Sequence, residues 1–268
     1  MADQGTDRRR RPAYRKDMAG RFAPDAVIRR VDAEGTILLG GGRALLLQLA
    51  HPKVAAGVAD HSDFEGDPLR RLRGTLEATY TIVFGTDEAA AAVARRVRAI
   101  HDHVTGPGYA ANDPELLCWV NATLVDTAVT AYEAVHGPLT EDEKESYYQD
   151  STSVAEILGC PREAQPEDWW AFRRYWRETV AGLEVSATAR RLARSIFAPD
   201  LPWLTGPPVA LARFLTIGTL PSEIRDQYGF RWRTSDRLAL DAGTAMARRV
   251  VPLVPRPVRR LPQAVLTG

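Results

Sequence analysis

Apolar residues recur along this chain at steps of three and four, and nowhere alternate over a useful length, so the pattern builds helices rather than strands. The sharpest stripe is Ala90, Val93, Val97, Ile100 and Val104. Thr86 and Asp87 offer N-cap chemistry at its start. At its end Gly106 permits a left-handed cap and Pro107 forbids continuation. His101 stands four residues after Val97 and three before Val104, so the helix carries it inward with the stripe. His103 turns toward the charged side with Arg95 and Arg96. The same period predicts helices over 24–34, 43–50, 52–59, 68–84, 114–135, 140–159, 167–183, 186–197, 209–217, 222–228 and 234–250. Thr140 and Glu143 form a capping box, and His51-Pro52 breaks the chain between two of these helices. The fold class is therefore all-α, a single multi-helix domain over 21–250. Residues 1–20 read as a disordered basic arm, and 251–268 as an extended tail rich in Pro and Arg.

Composition narrows the function classes. The 268 residues are 45% hydrophobic, enough for one large core. With 35 basic against 34 acidic residues, no general field draws nucleic acid or an anionic membrane. Cys118 and Cys160 form no CxxC pair, and a reducing cytoplasm suits them. No apolar run reaches the roughly 18 residues of a spanning helix. Arg8 to Arg11 would suit a twin-arginine signal, but Asp17, Arg21 and Asp25 interrupt the apolar segment it needs. Paired Glu-x-x-His motifs, the mark of a dinuclear metal bundle, are absent from the sequence.

Candidate chemistry gathers on two helices. A single imidazole carried inward on a long helix is how a protein offers a ligand to haem iron, and it is also how a hydrogen-bonded core histidine looks. Beside the apolar line Leu69, Leu72, Leu76 and Val83 runs a polar line, Arg71, Thr75 and Thr79, which must be paired or must hold a ligand. The triple glycine Gly40–Gly42 lacks the Lys-Ser/Thr of a phosphate loop, so close packing is its reading. His51 and His61 read as caps or bridges of the loop between helices, with a place in a ligand pocket as the alternative. Trp169, Trp170, Phe172, Tyr175 and Trp176 read as packing, with a substrate-channel wall as the alternative.

Six segments in order then bear a resemblance: LLLQLAHPKVAAGVADHSDF, DPLRRLRGTLEATYTIVFGT, RVRAIHDHVTGPG, DPELLCWVNATLVDTAVTAYE, GPLTEDEKESYYQDS and LTIGTLPSEIRDQYGFRW. The chain resembles the haem-dependent oxygenase family of latex-clearing protein (rubber oxygenase) and MpaB. The resemblance implies a partly globin-like helical core holding haem b, and an activity that cleaves a C=C bond of a hydrophobic, unsaturated organic substrate with O2. The family's H-x-x-V-x-G run matches His101, Val104 and Gly106, which makes His101 the implied proximal ligand. Its distal R-x-x-K-T matches Arg71 and Thr75, with Arg71 implied at a haem propionate and Thr75 on the distal wall. Gly74 replaces the distal Lys, which leaves the sixth iron position open, and Asn121 stands where many relatives carry His. Asp60, Asp63 and Asp67 are candidate bases, none selected by the sequence. Two other classes stay open: a haem-binding sensor or carrier without turnover, and a non-haem helical scaffold.

Overall fold

Helix α2 (Gly41–Ala50) lies at the centre of the molecule because almost every side chain on it is apolar and almost every one is buried. The computed structural model describes residues 20–62, 68–197 and 206–260. Around α2 pack α3 (Pro52–His61), α6 (Pro114–His136), α9 (Ala187–Phe197) and α10 (Pro207–Thr219). The glycines that introduce α2 do so by being small. A Cβ on Gly40 would lie 2.6 Å from Thr127 Cγ2, and one on Gly42 would strike the Thr216 hydroxyl. Close approach of α6 and α10 to α2 thus explains the glycine run.

The remaining helices complete an all-α domain. They are α1 (Val27–Asp32), α4 (Pro68–Phe84), α5 (Asp87–Asp102), α7 (Glu141–Ile157), α8 (Trp169–Gly182), α11 (Ser222–Gln227), α12 (Thr234–Val250) and α13 (Arg256–Arg259). Aromatic side chains join α6 to α8, with Trp119 stacked on Trp176 at 5.4 Å and Trp169 on Phe172 at 5.1 Å. One buried ion cluster ties four helices. Arg43 of α2 donates to Asp126 Oδ2 at 2.6 Å, to Thr127 Oγ1 at 2.7 Å and to the Thr219 carbonyl at 2.8 Å. Arg173 of α8 adds a bond of 3.2 Å to the other Asp126 oxygen. Each guanidinium nitrogen of Arg43 has a partner, which is what burial of a charge demands.

The chain departs from its helical pattern in three places. The helix expected over 24–34 shortens to α1, and a 3-10 helix, Gly35–Gly40, leads into α2. The tail expected to be extended forms a 3-10 turn at Val251–Leu253 and then α13, anchored by Arg259 and Arg260 to the buried Glu34 at 3.4 and 3.6 Å. The segment after α5 closes as a small antiparallel ladder, β1 (Thr105–Gly106) with β2 (Tyr109–Ala110). Gly106 is not a left-handed cap, since its φ is not positive. It is small because the Tyr109 ring lies against it, 2.5 Å from where a Cβ would sit. The arm 1–19 and the end of the tail, 261–268, lie outside the described residues.

Candidate functional site

Helix α5 begins as its sequence dictates, with Thr86 Oγ1 accepting from the Ala89 amide at 3.2 Å. Its apolar stripe then meets a cavity instead of the core. Only Ala90 is fully buried, and Ile100, expected inside, is 56% exposed. Val97, Ile100, His101 and Val104 all line a cavity of about 790 Å³. That size falls within the roughly 300–1,000 Å³ of small-molecule and cofactor pockets. Opposite α5 the wall is α4, which turns Arg71, Gly74, Thr75 and Thr79 to the same space. The expected stripe exists, but what it faces is a chamber.

His101 and Arg71 meet across this chamber. Burial, reinforced by the Arg71 cation, pushes the His101 imidazole below its ordinary pKa; Asn112 and Asp102 oppose the shift. The ring is therefore neutral at physiological pH, the form that ligates metal. Its Nδ1 is buried and has no hydrogen-bond partner among the described residues. Arg71 lines the cavity with no carboxylate partner among the described residues, and burial lowers its pKa as well. A guanidinium facing a cavity without a carboxylate is an anion site waiting for its anion. Thr75 and Thr79 satisfy their hydroxyl protons on the helix itself, Thr75 on the Arg71 carbonyl at 3.1 Å and Thr79 on the Thr75 carbonyl at 2.9 Å. Their lone pairs remain to face the chamber.

Gly74 presents bare backbone to the cavity, and a Cβ there would meet nothing within 4 Å. Neighbouring Arg73 turns outward to Glu77 at 2.7 Å. Asn121 lines the cavity and makes no side-chain hydrogen bond among the described residues. His103 caps the far end of α5 and is exposed. His61 holds the ladder to α3 through the Thr105 carbonyl at 2.9 Å and borders the cavity mouth. His51 lies outside the lining, tilted against Trp119 and 4.0 Å from Glu115. None of the aromatic residues of α8 lines the cavity: Trp169, Phe172, Tyr175 and Trp176 pack on the core, and Trp170 is exposed. Asp60 accepts from the Tyr109 hydroxyl at 2.6 Å and does not line it either. Asp63 and Asp67 lie outside the described residues.

The sequence missed the polar residues of the inner wall. Asp32 of α1, Gln48 of α2, and Tyr147 and Ser151 of α7 line the same cavity, and each is at most 5% exposed. Gln48 carries a signal, a lone amide inside LLLQLA. Asp32 carries none, since only tertiary packing buries it.

A family model described as "ER-bound oxygenase mpaB/B'/Rubber oxygenase, catalytic domain" matches residues 28–249. The chain belongs to this oxygenase family. Its match runs from α1 into the last turn of α12, and so takes in the whole cavity wall. The chain is also similar to uncharacterized proteins of Mycobacterium tuberculosis and Mycobacterium bovis, each 30% identical over 227 residues, 79% of this chain and 87% of theirs. No solved structure matches significantly. Among the described residues no helix is long and apolar enough to cross a membrane.

The donor set fits the family's prosthetic group. No cluster of three or more His, Cys, Asp or Glu side chains that could hold a bare ion occurs among the described residues. A single imidazole with a free ring nitrogen suits a metal that arrives with its own equatorial nitrogens, as in haem. Arg71, with no carboxylate of its own, suits a group that also carries carboxylates.

Proposed function

We propose that this oxygenase-family protein binds haem b in the cavity between α4 and α5 and oxidises a hydrophobic, unsaturated organic substrate with O2. The observation that supports the reading is the pairing, in one cavity, of a neutral His101 and an Arg71 for which the described residues offer no partner to His101 Nδ1 and no carboxylate to Arg71. His101 would be the axial ligand, Arg71 the partner of a propionate, and Thr75 part of the distal wall. When bound, the haem supplies dioxygen binding and activation.

The chain's own residues do the rest. Burial keeps His101 unprotonated, and Arg71 adds to it because a second cation nearby raises the cost of imidazolium. Val97, Ile100 and Val104 line the α5 side with hydrocarbon, which favours an apolar substrate. Thr75 offers a hydroxyl whose proton is held by the Arg71 carbonyl, so it faces the chamber as an acceptor.

A second reading, a haem-binding sensor or carrier, rests on Gly74. Position 74 itself brings no side chain to the chamber, so the basic group on that wall is Arg71, one turn earlier. Two measurements separate the readings. The visible spectrum of the purified protein, with acid-acetone extraction of the pigment, reports non-covalent haem b. Dioxygen consumption with unsaturated lipids then separates oxygenase from carrier. A colourless protein from haem-replete cells refutes both.

A further inference from the structure

Most of the cavity wall is apolar, with Ile28, Val54, Val58, Leu124 and Val154 among its lining. Part of its buried wall is polar. Gln48 is 2% exposed, and its side-chain amide has no protein partner among the described residues. Elsewhere on the same lining, Asp32 Oδ1 accepts from the Tyr147 hydroxyl at 3.0 Å, and Ser151 donates to the Tyr147 carbonyl at 2.8 Å. Tyr80, close enough to Asp32 to feel its charge, has its hydroxyl buried without a partner among the described residues. Buried polar groups are almost always satisfied. An amide donor and acceptor left open on a cavity wall are complementary to something that enters the cavity.

The charge distribution says what that is. Of the cations on the lining, Arg70, Arg73 and Arg96 are exposed, Lys53 reaches out to Glu115 at 3.4 Å, and Arg71 stands with His101. None belongs to the stretch formed by α1, α2 and α7. Burial pushes the pKa of the Asp32 carboxyl from 3.8 up to about 7, so near neutral pH its protonated fraction donates a hydrogen bond as well as accepting one. An anionic group would find no counter-charge on that stretch, whereas a neutral oxygen finds donors and acceptors.

We propose that Gln48, with Asp32 and Tyr147, receives a neutral hydroxyl or carbonyl oxygen on an otherwise hydrophobic substrate, so that the substrate is an amphiphile and not a bare hydrocarbon. The proposal rests on the reading of this cavity as the substrate chamber. It assigns Gln48 to substrate specificity, a role separate from the haem residues His101, Arg71 and Thr75.

The test is a binding cycle that does not need turnover. Displacement of 1-anilinonaphthalene-8-sulfonate by 1-decanol and by decane is measured on the wild-type protein, on Gln48→Met and on Tyr147→Phe. The change in the decanol-to-decane affinity ratio between wild type and variant cancels the difference in water solubility between the two probes. That ratio is expected to fall about tenfold in Gln48→Met, the worth of one or two hydrogen bonds. It should fall severalfold in Tyr147→Phe, with decane affinity held in both. An unchanged ratio in both variants overturns the proposal and leaves the inner stretch a site for water only. Tyr147→Phe removes a single oxygen and carries the test if Gln48→Met does not fold. Haem content is read separately from the visible spectrum. Loss of the ratio in protein that never binds haem refutes the haem reading and upholds this one; haem binding with an unchanged ratio does the reverse.

Discussion

Replacing Asp32 with Asn should make the protein more stable at neutral and alkaline pH and leave it unchanged in acid. Asp32 is 5% exposed and accepts one hydrogen bond, from Tyr147 at 3.0 Å. Desolvation is the largest influence on its carboxyl, with the Tyr147 bond opposing it and the nearby Asp150 adding to it, and the pKa rises from 3.8 to about 7. Because the folded pKa is raised, the folded state holds the proton more tightly than the unfolded chain does. The resulting stabilisation is fully present below pH 3.8 and is lost as pH rises through about 7. At about 1.4 kcal/mol per unit the whole span is on the order of 4 kcal/mol, of which roughly 2–3 kcal/mol falls between about pH 5 and 8. Asn reproduces the protonated acid: it can accept from Tyr147 and never ionises. Asp150, itself raised to about 6 by burial, and the hydroxyls of Tyr80 and Tyr147 are common to both proteins, so the difference reports Asp32 together with its coupling to them. Urea unfolding of both proteins across that pH range measures it. The wild type should lose stability relative to Asp32→Asn as pH rises, with the two curves converging toward acid. Parallel curves, or a variant less stable at pH 8, would refute the placement of Asp32 as a buried acid.

Two further outcomes follow from the geometry around α5. His101→Ala should abolish most haem binding while helical content stays near wild type, added imidazole should restore part of it, and His103→Ala should do little; equal loss in both variants, read from the visible spectrum, would overturn the ligand assignment. Gly106→Ala should cost about 1–3 kcal/mol, because a Cβ there collides with the Tyr109 ring that closes the ladder and holds Asp60; a melting temperature within about a degree of wild type would show that the ring moves aside freely.

The local chemistry of this chain is legible in its sequence. Apolar residues at three- and four-residue steps can bury a face only as helices, so the all-α fold, the capping box at Thr140 and Glu143, and the break at His51-Pro52 follow from short-range rules. The same rules put His101 on one side of α5 and His103 on another, and put Arg71, Thr75 and Thr79 on one line of α4. They are blind to what each face meets. A stripe facing a cavity and a stripe facing a core have the same period, which is why the pattern puts Ile100 inside while the fold leaves it exposed. Gly106 has the sequence look of a helix cap, and only the position of Tyr109 shows that it serves close contact instead. Asp32 is the sharpest case. Its burial depends on α1 packing against α4 and α7, elements far apart in the chain, and on Tyr147 reaching it across 115 residues. Desolvation is a property of the assembled surroundings, so no local pattern around Asp32 could announce a buried acid; the tertiary structure alone decides it.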